Sequence, residues 1–213
     1  MENVKFVGHL ILKEQIQEKW DVLLVDTNGG EFITRITISG HPGSGTTTLV
    51  SILENKFSWK SINGGKIFRD SAVKKGMSLV DFAELCLIDD KVDKELDEEL
   101  ISIMEMHNGP EIIESRLAGH WAKKKKIKCK RIWLKVNEEV RAERVQKREG
   151  GDLSHVLFSI KQRVEKDEAR FQKYYQISLE DMSPYTLIID CNHIQPEVIA
   201  EMVIEHFNED LKW

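Results

Sequence analysis

The chain has 213 residues, 41% of them apolar and 31% charged, an ordinary globular balance that excludes a disordered, collagenous or disulfide-scaffold protein. A net charge of −5 argues against a protein that lives by non-specific nucleic-acid binding. Apolar runs fall far short of the ~20 residues of a membrane span. Glu2, Lys5, His9 and Lys13 interrupt any signal-peptide core, so a cytoplasmic protein without a membrane partner is expected.

Residues 1–31 read as an N-terminal extension packed on the edge of a domain formed by residues 32–213. Within it Leu10–Trp20 suits a short helix, Val22–Val25 a strand, and Asp26–Glu31 has turn chemistry. Phe32–Ser39 is short and rich in β-branched residues, which predicts a strand. It runs into a Gly/Pro loop, Gly40–Gly45, and then into a helix from Thr46 with Leu49, Ile52 and Leu53 on one face. Further strands are predicted near Trp59–Ile62, Glu111–Glu114, Arg131–Val136 and Tyr185–Asp190. Helical patterns cover Lys66–Lys75, Leu79–Leu87, Asp93–Met106, Glu138–Arg148, Leu153–Tyr175 and Pro196–Asn208. Strands alternating with helices predict an α/β fold: a mostly parallel sheet with helices on both faces. The three cysteines, Cys86, Cys129 and Cys191, are widely spaced and read as reduced thiols.

The loop after the first strand carries the chemistry. Gly40-His41-Pro42-Gly43-Ser44-Gly45-Thr46-Thr47 has the frame G-x-x-x-x-G-K-[ST] of a phosphate-binding loop, with strand before and helix after. Glycines let successive N–H groups turn inward around a phosphate, and the helix adds its positive end. Thr47 stands where a hydroxyl ligates Mg²⁺. The lysine of the frame is Thr46, so if phosphate binds, the positive charge must come from elsewhere, and arginines are the candidates. The bland alternative is a strand–helix turn with no ligand.

Glu114 and Arg116 follow a strand at the carboxyl edge of the sheet, where α/β folds bind ligands. Glu114 suits Mg²⁺ and Arg116 a phosphate or base; a strand-end salt bridge is the alternative. Arg141, Arg144 and Arg148 share one helix face ending at Gly150-Gly151, either a solvated face or a lid. Arg163, Asp167 and Arg170 share a face of the longest helix, either as a surface pair or as a grip on phosphate and ribose. Ser61–Arg69 follows the second strand; its glycines before a helix, with Arg69 one turn inside, resemble an acceptor-phosphate site but are a weaker signal. Lys123–Arg131 holds seven basic residues in nine and reads as a solvated helix-to-strand loop. His193 and Cys191 lack the partners of a zinc site.

With these residues in place, the chain resembles the archaeal-type cytidylate kinases, a branch of the P-loop nucleoside monophosphate kinases. The resemblance runs from about Thr34 to about Asn208. It rests on Ile36–Thr48, Gly65–Arg69, Gly76–Leu79, Val92–Asp97, Glu114–Gly119 and Val140–Arg144. Members of this family can carry Gly-Thr-Thr-Thr in the loop, as here. Ser115 stands where the family usually has glycine, and residues 1–31 precede its usual start.

The resemblance implies a P-loop NTPase three-layer fold with a helical acceptor-binding insert (about 63–108) and a lid (about 145–170). It implies transfer of phosphate from MgATP to CMP or dCMP by a monomer, with no nucleic-acid partner. Gly40, His41, Pro42, Gly43, Ser44, Gly45, Thr46, Thr47 and Thr48 would hold ATP, and Thr47 and Glu114 the Mg²⁺. Arg69, Arg116, Asp167 and Arg170 would hold the acceptor, and Arg116, Arg141, Arg144 and Arg163 would serve catalysis. Rival readings are a kinase of UMP or AMP, an ATP sensor lacking the loop lysine, and an RNA-binding protein using Lys123–Arg131. A sensor has no need of the second arginine set, and RNA binding would want interleaved aromatics.

Overall fold

The computed structural model describes residues 34–208; the expectations for residues 1–31 lie outside them. Five strands form one fully parallel sheet: β1 (Ile36–Gly40), β2 (Ser61–Asn63), β3 (Ile112–Glu114), β4 (Lys130–Lys135) and β5 (Leu187–Asp190), in the order β2-β3-β1-β4-β5. Between them run α1 (Thr46–Phe57), α2 (Gly64–Lys74), α3 (Leu79–Ile88), α4 (Asp90–Met104), α5 (Ala118–Lys124), α6 (Glu138–Glu149), α7 (Leu153–Tyr175) and α8 (Pro196–Asn208). The central strand β1 is buried along its whole length, as a strand covered on both faces must be. Register assigns the faces. Ile36 pairs Ile112, and Ile38 pairs Ile132, so these side chains share one face with Leu134. Buried Leu49, Val50 and Leu53 of α1 and Ile199, Val203 and Ile204 of α8 belong to the layer over it. Ile113 and Trp133 point the other way, into a cluster with Leu100 and Met104 of α4, Leu117, Trp121 and Ala122 around α5, and Phe171 of α7. The three-layer α/β expectation is met.

One helix has no counterpart in the sequence reading. In α5 the residues Ala118, Gly119, His120, Trp121 and Ala122 are all buried, so no polar face creates an amphipathic period. Gly119 is required there: a Cβ would sit 2.4 Å from Cε1 of Tyr185. Tyr185 in turn donates its hydroxyl to the carbonyl of Arg116 at 3.3 Å, fixing the turn that follows β3. The basic run lies at the end of α5 and the start of β4, and its ends are engaged internally. Lys123 donates to Ser183, Lys125 pairs with Glu105 at 3.2 Å, and Arg131 donates to the carbonyls of Pro184 and Cys129. Cys86, Cys129 and Cys191 are free thiols. Burial pushes Cys129 and Cys191 up to about 11, so both are protonated and unreactive at neutral pH. Among the described residues no helix is long and apolar enough to cross a membrane.

Candidate active site

The strands end on a common edge, and three clusters gather there. The first is the loop Gly40–Gly45. Gly43 (φ 87°) and Gly45 (φ 91°) adopt the left-handed conformation that lets the chain curl tightly. A Cβ on Gly43 would come 2.8 Å from the carbonyl oxygen of Arg141, so the loop packs directly on α6. Helix α1 starts after Gly45 with no side-chain cap, which leaves its first amides for an anion. The arginines of α6 brace the loop from outside. Arg141 is buried, 5% exposed, and donates Nε to the Val136 carbonyl and Nη1 to the Pro42 carbonyl, each at 3.2 Å. Arg144 donates Nη1 to the Ser44 carbonyl at 3.3 Å and Nη2 to the Cys191 carbonyl at 2.6 Å. The solvated-face reading therefore fails for these two and holds for Arg148, which pairs with its neighbour Glu149.

The second cluster is built on Glu114, the last residue of β3 and 7% exposed. Its Oε1 accepts from the hydroxyls of Thr46 (2.6 Å) and Thr47 (2.8 Å), and its Oε2 accepts from Nδ2 of Asn63 at 2.5 Å. All three donors are neutral. A carboxylate with the Thr47 hydroxyl beside it is the hard-oxygen chemistry that Mg²⁺ takes. Among the described residues no group of three His, Cys, Asp or Glu could hold a metal, so the remaining ligands would be waters and substrate oxygens. A lysine at position 46 would instead have placed a cation against this acid.

The third cluster centres on Asp167 of α7, 8% exposed. It pairs with Arg116 at 2.6 Å and with Arg170 at 3.4 Å, joining the end of β3 to α7. The i,i+4 pair with Arg163 suggested by spacing gives way to these two, and Arg163 stands exposed one turn earlier. Burial lowers Arg116 to about 10; Asp167 opposes the shift, and Arg163 and Arg170 add to it. Arg116 is still fully charged at neutral pH. Two guanidiniums, Arg116 and Arg170, converge on this carboxylate with Arg163 close enough to repel Arg116, a cationic grouping suited to an anion. His41 of the loop lies between the clusters, edge-on to Trp133 with centroids 5.2 Å apart. Burial, then the charges of Arg141 and Arg116, lower it to about 4, so it is neutral at physiological pH. Arg69 is exposed and folds back along α2: its Nη1 lies 3.3 Å from where a Cβ of Gly65 would be.

Two residues escaped the sequence reading. Asn63 caps α2, its Oδ1 accepting from Lys66 N at 3.1 Å while its amide nitrogen holds Glu114. The signal was present in Asn-Gly-Gly ahead of a helix. Asp97 of α4 accepts from Trp121 Nε1 at 3.4 Å and bonds Tyr175, and burial raises its pKa. No local pattern marks a contact made by three separate helices.

Comparison with known proteins agrees with this geometry. The family model described as AAA domain matches residues 36–170. The cytidylate kinase of Archaeoglobus fulgidus is 34% identical over 80% of this chain and 93% of its own length. That of Pyrococcus abyssi is 37% identical over 82% and 95%. Among solved structures, a gluconokinase from Sinorhizobium meliloti matches with a TM-score of 0.55 at 14% identity, covering 84% of this chain and 94% of its own, a likeness of fold alone.

Proposed function

This chain belongs to the cytidylate kinase family, and we propose that it runs the family's reaction between the clusters around Glu114 and Asp167. It is an ATP-dependent nucleoside monophosphate kinase that passes the terminal phosphate of ATP to CMP, giving ADP and CDP; dCMP is the expected second acceptor. The observation that carries the assignment of sites is the second cationic cluster. A phosphate loop alone serves an ATP sensor equally well. Arg116 and Arg170 on Asp167, with the charge of Arg163 beside them, suit a second anionic nucleotide.

In the reaction an acceptor phosphate oxygen attacks the γ-phosphorus, and the β–γ bridging bond breaks with its electron pair leaving on ADP. Phosphoryl transfer of this kind needs positioning and charge neutralisation rather than a covalent intermediate. Residues Gly40–Thr48 hold the ATP phosphates on the backbone amides that all of them but Pro42 carry, and Arg141 and Arg144 keep the loop in shape. Arg144 brings beside Gly45 the fixed charge that Thr46 lacks. Thr47 and Glu114 would hold Mg²⁺, which when bound neutralises charge on the transferred phosphate. Arg69 and the start of α2 take the acceptor phosphate, Asp167 and Arg170 its sugar and phosphate. Arg116 and Arg163 face charge that develops during transfer.

The acceptor region spans about 63–108 and the lid about 145–170, with Gly150 and Gly151 (φ 79° and 95°) as its joint. Internal engagement of Lys123 and Arg131 supports a reading without a nucleic-acid partner; a monomer in the cytoplasm is the expectation that goes with it.

The test is ADP formation from MgATP with CMP, dCMP, UMP or AMP, against a control without acceptor. Stimulation chiefly by CMP and dCMP is expected. Stimulation by another nucleotide would move the acceptor, and ATP binding without stimulation by any of them would leave a sensor.

A further inference from the structure

Asn63 is the one side chain described above that touches both the metal-side carboxylate and the acceptor-side helix. Residues 63 and 114 are direct partners in the β2–β3 register, so their side chains leave the same sheet edge together. The orientation of the amide is fixed by chemistry. A carboxylate only accepts and a backbone N–H only donates, so Nδ2 must face Glu114 and Oδ1 must face Lys66. The amide is planar, so turning one end turns the other. Gly65 is held close to the same group, since a Cβ there would lie 2.8 Å from Asn63 Oδ1 and 3.3 Å from Arg69 Nη1.

We propose that Asn63 is a positioning residue that couples the two substrates, making MgATP and the acceptor nucleotide bind with positive cooperativity. The proposal rests on reading Arg69 and the start of α2 as the acceptor-phosphate site. Glu114 is oriented by three donors, and a cation drawn to it with ATP fixes its plane further. Asn63 is then fixed with it, and so are the first turn of α2 and the setting of Arg69. The second ligand meets a site already ordered and is spared that ordering cost, whichever ligand comes first. A mere N-cap would not require the amide. Serine caps a helix as well as asparagine does, yet it lacks the donor that reaches Glu114.

Calorimetry tests this through the affinity for CMP with and without an ATP analogue carrying an imido β–γ bridge, in Mg²⁺ or in EDTA. In the native protein the Mg²⁺-loaded analogue should tighten CMP at least about fivefold, and without Mg²⁺ the gain should vanish. Asn63→Ser keeps the cap and loses the donor, and Asn63→Asp keeps the cap and sets an acceptor against Glu114. In both, the gain should fall to near one while the melting temperature stays close to native. A full gain in folded variants, or no gain in the native protein, overturns the proposal. Should both variants fail to fold, a native gain that is equal in Mg²⁺ and EDTA overturns it, and one confined to Mg²⁺ supports it. Failure of the underlying reading looks different: the analogue binds, but neither CMP nor UMP nor AMP does, and the proposal falls with it. If UMP or AMP binds instead, the same ratio is read on that nucleotide.

Discussion

Arg144 donates to the carbonyl of Ser44 at 3.3 Å and to that of Cys191 at 2.6 Å, so one guanidinium ties the phosphate loop to the segment after β5. It also brings a permanent charge to a loop whose lysine position holds threonine. Arg144→Ala should therefore lower turnover by about 10²-fold, the scale of losing one well-placed charge or donor at a transition state. Arg144→Lys should restore only part of it, because an ammonium cannot reproduce the planar fork across two carbonyls. Steady-state kinetics of both variants, with circular dichroism to show retained folding, check this; a native turnover in Arg144→Ala would remove the arginine from catalysis.

Glu114 offers the second prediction. Its carboxyl oxygens accept from two hydroxyls and one amide, all neutral groups. Glu114→Gln removes the charge at nearly constant shape. The expected result is a fall in kcat of about 10²–10³-fold, on the scale of losing a main charge-stabilising group, with a clear rise in the Mg²⁺ concentration needed for half-maximal rate. Titrating Mg²⁺ at fixed ATP separates the two. A variant with an unchanged Mg²⁺ requirement would show that the cation does not depend on this acid.

His41 gives the protein a pH-dependent stability. Its folded value of about 4 lies below the ordinary imidazole value of 6.5, because burial and the charges of Arg141 and Arg116 disfavour the imidazolium. Between these values the unfolded chain binds a proton that the folded chain does not, so folding weakens as pH falls from 6.5 towards 4 and is unaffected above 6.5. The loss approaches about 3 kcal/mol near the lower end. His41→Gln should flatten urea-unfolding stability across that window. An unchanged pH slope in the variant would assign the loss to other groups.

Much of this was legible in the sequence because the signals were local. β1, the glycine loop and α1 are contiguous, and Thr34–Thr48 alone defines a strand, a turn of left-handed glycines and a helix start. The long helix α7 announced its polar face through the spacing of Arg163, Asp167 and Arg170. What spacing could not give was the choice of partner. Asp167 lies one helical turn from Arg163, yet it pairs with Arg116, some fifty positions earlier, because β3 ends beside α7 in space. Arg141 looked solvated among glutamates, but the close approach of Gly43 to its backbone buries it. Helix α5 was hidden for the opposite reason, its first five residues all being buried and hence without period.

The Arg116–Asp167 pair yields the last prediction. Arg116 and Asp167 have side chains only 21% and 11% exposed, so removing the acid strands a largely desolvated guanidinium beside two others. Breaking a fully buried pair this way costs about 3–5 kcal/mol; the residual exposure here should bring Asp167→Asn to about 2–3 kcal/mol. For a domain of this size that is a fall in Tm of roughly 4–12 °C. An anion entering the cluster would return the missing negative charge. CMP should then raise the Tm of Asp167→Asn by more than it raises that of the native protein, even though loss of the aspartate weakens the hold on the sugar. Inorganic phosphate should do the same more weakly. Thermal melts of both proteins with CMP, phosphate and cytidine decide it: a larger shift with cytidine than with CMP would mean that the three arginines do not receive the phosphate.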